Sequence, residues 1–236
     1  MIPLPIYYTE LESIYAKTFG AGLNTLAVTG TQDGEGVSTL AYALARRAAA
    51  MGGKTLLVDT NMRNGSVGRR LGISPKQWTF KEPPGADKIV ALSNTGLSVL
   101  PAPVGFEDGT MARETVILRA CMQRWLKTYD FVVADTSPMT IRNQANVPPE
   151  NVCAACEGTI LVVLTGQTSE NRILEAQGKL SGANAQLVGT VLNDKYAPTL
   201  SDELVRETHR FDSLLPGTMA KLRAFILRSH FLNQAI

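Results

Sequence analysis

The stretch LNTLAVTGTQDGEGVST, residues 23–39, decides the fold. Leu23 to Thr29 is a short apolar, β-rich run, and the glycine-rich turn Gly30 to Gly36 follows it at once. From Ser38 to Met51, Leu40, Ala41, Leu44, Ala45 and Ala48 recur at helical spacing. A strand running through a glycine-rich turn into a helix is the setting of a phosphate-binding loop. Its glycines let backbone N–H groups face phosphate oxygens, and the helix N-terminus adds the positive end of its dipole. Against the consensus G-x-x-x-x-G-K-[ST], Gly36 and Ser38 match, Ser38 holding the hydroxyl position that takes Mg²⁺. Val37 stands at the lysine position and Thr31 at the first glycine. On the loop alone, a glycine-rich turn of any α/β fold remains the rival reading.

Working outward, strands are expected at Lys54 to Asp59, Leu97 to Leu100, Phe131 to Asp135, Thr159 to Thr165 and Leu187 to Leu192. Helices are expected at Thr115 to Lys127 and from about Ser169 to Leu180. Near-continuous Val/Ile/Leu strands alternating with helices indicate an α/β fold, a doubly wound parallel sheet with helices on both faces. Ser74 to Asp87, with Pro75, Pro83, Pro84 and Gly85, reads as an exposed excursion, and Arg142 to Glu157 as a long connection. One domain is expected: an N-terminal helical segment over 1–22, an α/β body over 23–200 and a C-terminal helical segment over 201–236.

The 236 residues are 44% apolar and 19% charged, enough for a substantial core, and the net charge of +2 gives no broad basic field for nucleic acid. No apolar run approaches the 18 or so residues of a membrane span, and Met1 to Ile6 lacks the pattern of a secretory signal. A cytoplasmic location is therefore expected. Cys153 and Cys156 form a C-x-x-C without a second Cys or His pair at zinc spacing. Buried structural cysteines are favoured there over a redox pair or a metal site, and an odd count of three fits a reducing compartment.

Two further segments bear on the loop. KTLLVDTNMR (54–63) and FVVADTSPM (131–139) each end an apolar strand on an aspartate, Asp59 and Asp135. The carboxyl ends of parallel strands face the crevice where ligands bind. Two carboxylates converging there can hold a phosphate-bound Mg²⁺ directly or through water, with Ser38 at the hydroxyl position; a single aspartate ending a strand is more often a helix cap or turn residue, and it is the three features in order that point to the ion.

The ordered set GEGVST, LLVDTNMR, SVLPAP, YDFVVADTSP, GTILVVLTGQTS and GTVLND resembles the cytoplasmic domain of bacterial tyrosine autokinases (BY-kinases), within the MinD/ParA group of P-loop ATPases. It runs from about Leu23 to Asn193. The resemblance implies a P-loop NTPase-like fold with ATP or ADP and Mg²⁺ as ligands. Gly34, Glu35, Gly36, Val37, Ser38 and Thr39 would form the phosphate loop. Asp59 and Asp135 would be the acidic residues of catalysis and of Mg²⁺ binding, and Asn193 would reach the adenine. It also implies a role in exopolysaccharide or capsule synthesis and export, with an inner-membrane polysaccharide co-polymerase or other secretion-complex protein as partner, and a possible homo-oligomer.

Several positions depart from that family. Val37 replaces the loop lysine, Asn61 the second acid of the family's D-x-D, and Gln32 the extra signature lysine of MinD/ParA loops. The glutamates Glu10 and Glu12 lack the arginines of the family's ring-forming helix, and no tyrosine follows Tyr196. Arg63, just beyond the strand ending at Asp59, is a better candidate for a substitute cation than Lys54, its alternative reading being a surface arginine capping the turn. Lys54 precedes a strand rather than a helix and is not expected to reach phosphate. The sum favours a pseudo-kinase that regulates or scaffolds. The alternatives are an active MinD/ParA-like ATPase using a substitute cation, and an interaction module without nucleotide.

The C-terminal SDELVRETHR (201–210) starts with a capping pair and reads as a polar helix. Thr218 to Leu232 mixes Leu222, Phe225, Ile226 and Leu227 with Lys221, Arg223 and Arg228. Packing on the body is favoured for it over a partner or an anionic membrane surface, so any membrane contact is expected to be peripheral.

Overall fold

The computed structural model describes residues 4–62, 65–82, 84–85, 87–104, 114–140, 147–195, 200–210 and 216–229. The chain divides into two compact units, 1–193 and 194–236.

In the first unit the helices are α1 (Thr9–Lys17), α2 (Val37–Ala50), α3 (Ser66–Arg70), α4 (Thr115–Trp125), α5 (Pro149–Ala155) and α6 (Glu170–Gly182). The strands are β1 (Thr25–Gly30), β2 (Thr55–Asp59), β3 (Val90–Ala91), β4 (Leu97–Leu100), β5 (Phe131–Asp135), β6 (Gly158–Leu164) and β7 (Leu187–Asn193). They form one seven-stranded sheet in the order β3-β4-β2-β5-β1-β6-β7, parallel throughout except for the short edge strand β3. The α/β parallel sheet expected from the apolar runs is what the chain adopts.

Side-chain alternation along the central strands feeds two cores. Ala27, Leu56, Val58, Val132 and Ala134 point to one face, where Leu118, Met122 and Trp125 of α4 and Val152 of α5 cover them. Leu26, Val28, Leu57 and Val133 point to the other, against Leu40, Leu44 and Ala48 of α2 and Leu11 of α1. Glu12 fixes α1 to α2 by accepting from Arg47 Nε and Nη2 at 2.8 and 2.7 Å. The Arg47 guanidinium also lies 4.9 Å from the Tyr15 ring centroid.

Two expectations need correction. Ser74 to Asp87 is not simply an exposed excursion: Trp78 and Phe80 are buried and pack edge-on, and the Trp78 indole N–H donates to the Pro101 carbonyl at 2.8 Å. Their large apolar rings outweigh the proline punctuation around them. Within the connection from Arg142 to Glu157, residues 149–155 form α5, with Pro149 in its first turn, where a missing N–H costs nothing; residues 141–146 lie outside the described residues.

The second unit holds α7 (Leu200–His209) and α8 (Pro216–Arg228), which pack on each other. Arg223 of α8 donates to Thr208 Oγ1 of α7 at 3.4 Å. No helix among the described residues is long and apolar enough to cross a membrane.

Cys121, Cys153 and Cys156 are all buried and unbridged. Burial pushes the Cys121 thiol up to about 11 and that of Cys153 to about 12, and it raises Cys156 well above the ordinary thiol range. The thiolate is the reactive form. At pH 8 the native protein should therefore leave all three thiols unreacted with an aromatic disulfide reagent, while the protein in denaturant should titrate three. A rapid native titration of Cys153 and Cys156 would contradict this.

Candidate functional site

The site lies at the carboxyl ends of β1, β2 and β5, where the loop from β1 to α2 meets two aspartates. Gly34 and Gly36 take φ of +89° and +97°, values that residues with a Cβ rarely adopt, and Gly36 leads directly into α2. The first N–H groups of α2, at Val37, Ser38 and Thr39, have no carbonyl one turn back within the helix, which makes this turn a natural phosphate cradle.

Glu35 does not face that cradle. It is fully buried, and its carboxylate accepts from Thr31 N at 2.5 Å, Thr31 Oγ1 at 2.7 Å, Gln32 N at 3.2 Å and Thr168 Oγ1 at 2.5 Å. The Asn193 side-chain amide donates to the Glu35 backbone carbonyl at 2.8 Å. Glu35, Thr168 and Asn193 together hold the base of the loop to the ends of β6 and β7. Glu35 and Asn193 are thus brought to the loop as braces. The Thr168 hydroxyl was not singled out in the sequence, and its position in TGQTS carried no signal beyond the strand end it follows.

Val37 is 8% exposed and belongs to the core cluster that includes Leu40 and Val162. It sits so close to β1 that a Cβ on Gly30 would come within 2.8 Å of Val37 Cγ2. The side chain at the consensus lysine position is therefore turned into the core.

On the β2 side, Asp59 and Asp135 are in-register neighbours, and both are fully buried. Asp59 accepts the backbone N–H of Asn61 and of Val67, each at 3.0 Å. Burial outweighs these bonds and pushes its carboxyl up to about 6. Asp135 is raised well above the usual carboxylate range, first by burial and then by the neighbouring Asp59. Its Oδ2 accepts from Ser66 Oγ at 3.3 Å, and the Ser66 and Ser38 hydroxyls lie 2.5 Å apart. Asp135 Oδ1 is buried with no hydrogen-bond partner among the described residues. Ser66, at the start of α3, was also missed in the sequence, because no loop consensus extends to it.

Two carboxylates, one of them with an unpartnered oxygen, and two hydroxyls form a hard-oxygen donor set of the kind Mg²⁺ takes, so the residues present fit that ion. Ser38, Asp59 and Asp135 would hold it, and it would neutralise charge on bound phosphate. Among the described residues no group of three or more His, Cys, Asp and Glu converges as a metal site. Arg63, the candidate substitute cation, lies outside the described residues. Arg70 of α3 donates to Thr39 Oγ1 at 3.2 Å, and Arg172 of α6 donates to Gln32 Oε1.

A parallel sheet carrying a glycine-rich loop and paired strand-end aspartates defines the protein as one with the P-loop NTPase fold. No family model matches the chain. It is 27% identical over 191 residues to the tyrosine-protein kinase CpsD of Streptococcus pneumoniae, covering 75% of this chain and 81% of that one. To CpsD of Streptococcus agalactiae it is 25% identical over 175 residues, covering 71% and 74%. The kinase domain of Escherichia coli tyrosine kinase ETK superposes with a TM-score of 0.67 at 20% identity, over 84% of each chain. The septum site-determining protein MinD of Pyrococcus horikoshii, complexed with Mg-ADP, gives 0.59 at 19% identity, over 74% of this chain and 71% of that one. The chain's homologues are bacterial tyrosine-protein kinases, and its structural neighbours are BY-kinase domains and MinD/ParA-like P-loop NTPases.

Two adjacent buried carboxylates destabilise the fold when ionised. Their raised values mean that the native state takes up protons more readily than the unfolded chain, so this cost is full at high pH and diminishes as pH falls below the raised native values toward the ordinary carboxylate range. Asp135→Asn should raise Tm at pH 8, by about 2–4 °C for each kcal/mol relieved. The gain should shrink toward pH 5. Thermal melts across that range test it; a lower Tm for the variant at pH 8 would contradict it.

Proposed function

We propose that this protein is a BY-kinase-like P-loop protein that binds ADP or ATP with Mg²⁺ but transfers phosphate poorly. In this reading it serves as a regulatory or scaffolding pseudo-kinase in exopolysaccharide or capsule synthesis, beside an inner-membrane co-polymerase protein. The observation that carries it is the contrast within one site. Ser38, Asp59 and Asp135 are gathered at the carboxyl ends of the strands, while Val37 is packed into the core.

The chemistry follows from that contrast. Backbone N–H groups and Mg²⁺ can hold a ground-state polyphosphate, but charge developing on the transferred group needs a cation aimed at it. A charged hydrogen bond of the lost kind is worth about 1.5–3 kcal/mol net, or tenfold to a hundredfold in affinity. The transition state loses at least as much. Asn61 in place of a second acid adds to the deficit. The likeness to tyrosine kinases supports the family setting, and the MinD neighbour with Mg-ADP supports the choice of ligand.

Calorimetric titration with ATP·Mg²⁺, paired with an anti-phosphotyrosine assay on the purified protein, tests this reading. Measurable nucleotide binding without tyrosine autophosphorylation is expected. Robust autophosphorylation would overturn the pseudo-kinase reading, and absence of binding would overturn the nucleotide reading. Val37→Lys should tighten nucleotide binding about tenfold or more if the missing cation limits affinity.

A further inference from the structure

With Val37 buried, the loop lacks the cation that its consensus would aim at phosphate, and a polyphosphate carries several negative charges. Among the described residues two guanidinium groups reach side chains of the loop, and their surroundings differ. Arg172 donates to Gln32, at the end of the loop where the Thr31 and Gln32 N–H groups are already taken by the Glu35 carboxylate. A cation there sits beside a buried acid rather than beside open donors. Arg70 is exposed and donates to Thr39 Oγ1, in the first turn of α2, where the N–H groups of the cradle lie. The same short helix carries Ser66, whose hydroxyl donates to Asp135 Oδ2, so α3 reaches both the first turn of α2 and the Mg²⁺ donor set. The bond to Thr39 uses one of the five N–H groups a guanidinium carries in a fork that matches phosphate oxygens.

We propose that Arg70, from the end of α3, is the phosphate-binding cation of this loop and takes the charge role vacated at Val37. The proposal rests on the nucleotide-binding reading above. It assigns to α3 a binding function that its sequence, SVGRR, does not announce. The carrier differs from a loop lysine in kind. It is a planar bidentate group arriving from a neighbouring helix, so its engagement depends on how α3 is held, and Ser66 at the other end of α3 is tied to Ser38 and Asp135. Such a group can secure bound phosphate while standing further from the transferring phosphoryl than a loop residue would.

The test is calorimetric titration of ADP·Mg²⁺ and of inorganic pyrophosphate·Mg²⁺ into wild type, Arg70→Ala, Arg70→Lys and Lys54→Ala, each at low and moderate salt. Lys54 is an exposed cation preceding β2, at the strand end away from the site, so it controls for loss of one positive charge. Arg70→Ala should weaken both ligands tenfold to a hundredfold and flatten the salt dependence. Arg70→Lys should fall between, and Lys54→Ala should stay within about twofold of wild type. Thermal melts monitor folding, and Arg70→Gln replaces the alanine variant if that one unfolds. Affinity unchanged in the Arg70 variants while wild type binds would overturn this proposal and leave the nucleotide reading standing, as would a lowered Tm with unaltered affinity. An equal loss in Lys54→Ala would also overturn it, because only net charge would then matter. Wild type that binds neither ligand would remove the nucleotide reading itself, and this proposal with it.

Discussion

The register between β2 and β5 is the constraint on which the site depends. Pairing Leu56 with Val132 and Val58 with Ala134 places their side chains in one core, and Leu57 with Val133 in the other. A slip of one residue would exchange the two faces of a strand. With the apolar positions fixed in this way, Asp59 and Asp135 are side by side at the carboxyl ends. Two buried carboxylates on neighbouring strands are an unfavourable arrangement for stability. The structure meets the cost with the backbone N–H groups of Asn61 and of Val67 on Asp59 and with hydroxyls on Asp135, yet leaves Asp135 Oδ1 without a partner among the described residues. An uncompensated buried acid of this sort is stored binding energy for a cation, and it ties the sheet directly to the site's chemistry.

Glu35 shows how much of a phosphate loop is support rather than contact. Its four accepted hydrogen bonds hold Thr31, Gln32 and Thr168 in one cluster, and Asn193 secures the carbonyl of the same residue. The loop is thus clamped to β6 and β7 on one side while its helix end meets α3 on the other. A loop held in this way can keep its shape with Val37 in the core, because the N–H geometry follows from Gly34, Gly36 and the Glu35 clamp rather than from the side chain at position 37.

Most of the sheet was legible because long-range order here is written in short apolar runs. FVVAD and LLVD are buried on both faces, and the glycine turn after LAVT fixes where α2 begins. Less was legible where structure depends on a single large or polar side chain. Trp78 and Phe80 drew a proline-rich segment into the core that local composition had assigned to the surface. The helices α3 and α5 have five and seven residues, too few for periodicity to register, and α3 carries Ser66 and Arg70. The site's acidic and hydroxyl members could be named from the sequence because they end strands or open a helix. The side chains that orient them, Thr168 and Ser66, could not, because their roles come from tertiary proximity alone.

The exchange of lysine for valine is best understood as a change in where charge is kept. A lysine at position 37 would need its ammonium in the crevice with its stem crossing the ground that Val37 now fills against Gly30. Valine instead adds apolar contact at the junction of β1 and α2, worth about 1.5–3 kcal/mol when fully buried. Charge at position 37 is thereby exchanged for apolar packing of the loop. Asp59, Asp135 and Ser38 lie apart from that packing, gathered at the carboxyl ends of β2 and β5 and the start of α2, so the oxygen donors of the site are positioned by strand register and helix start and not by the side chain at position 37.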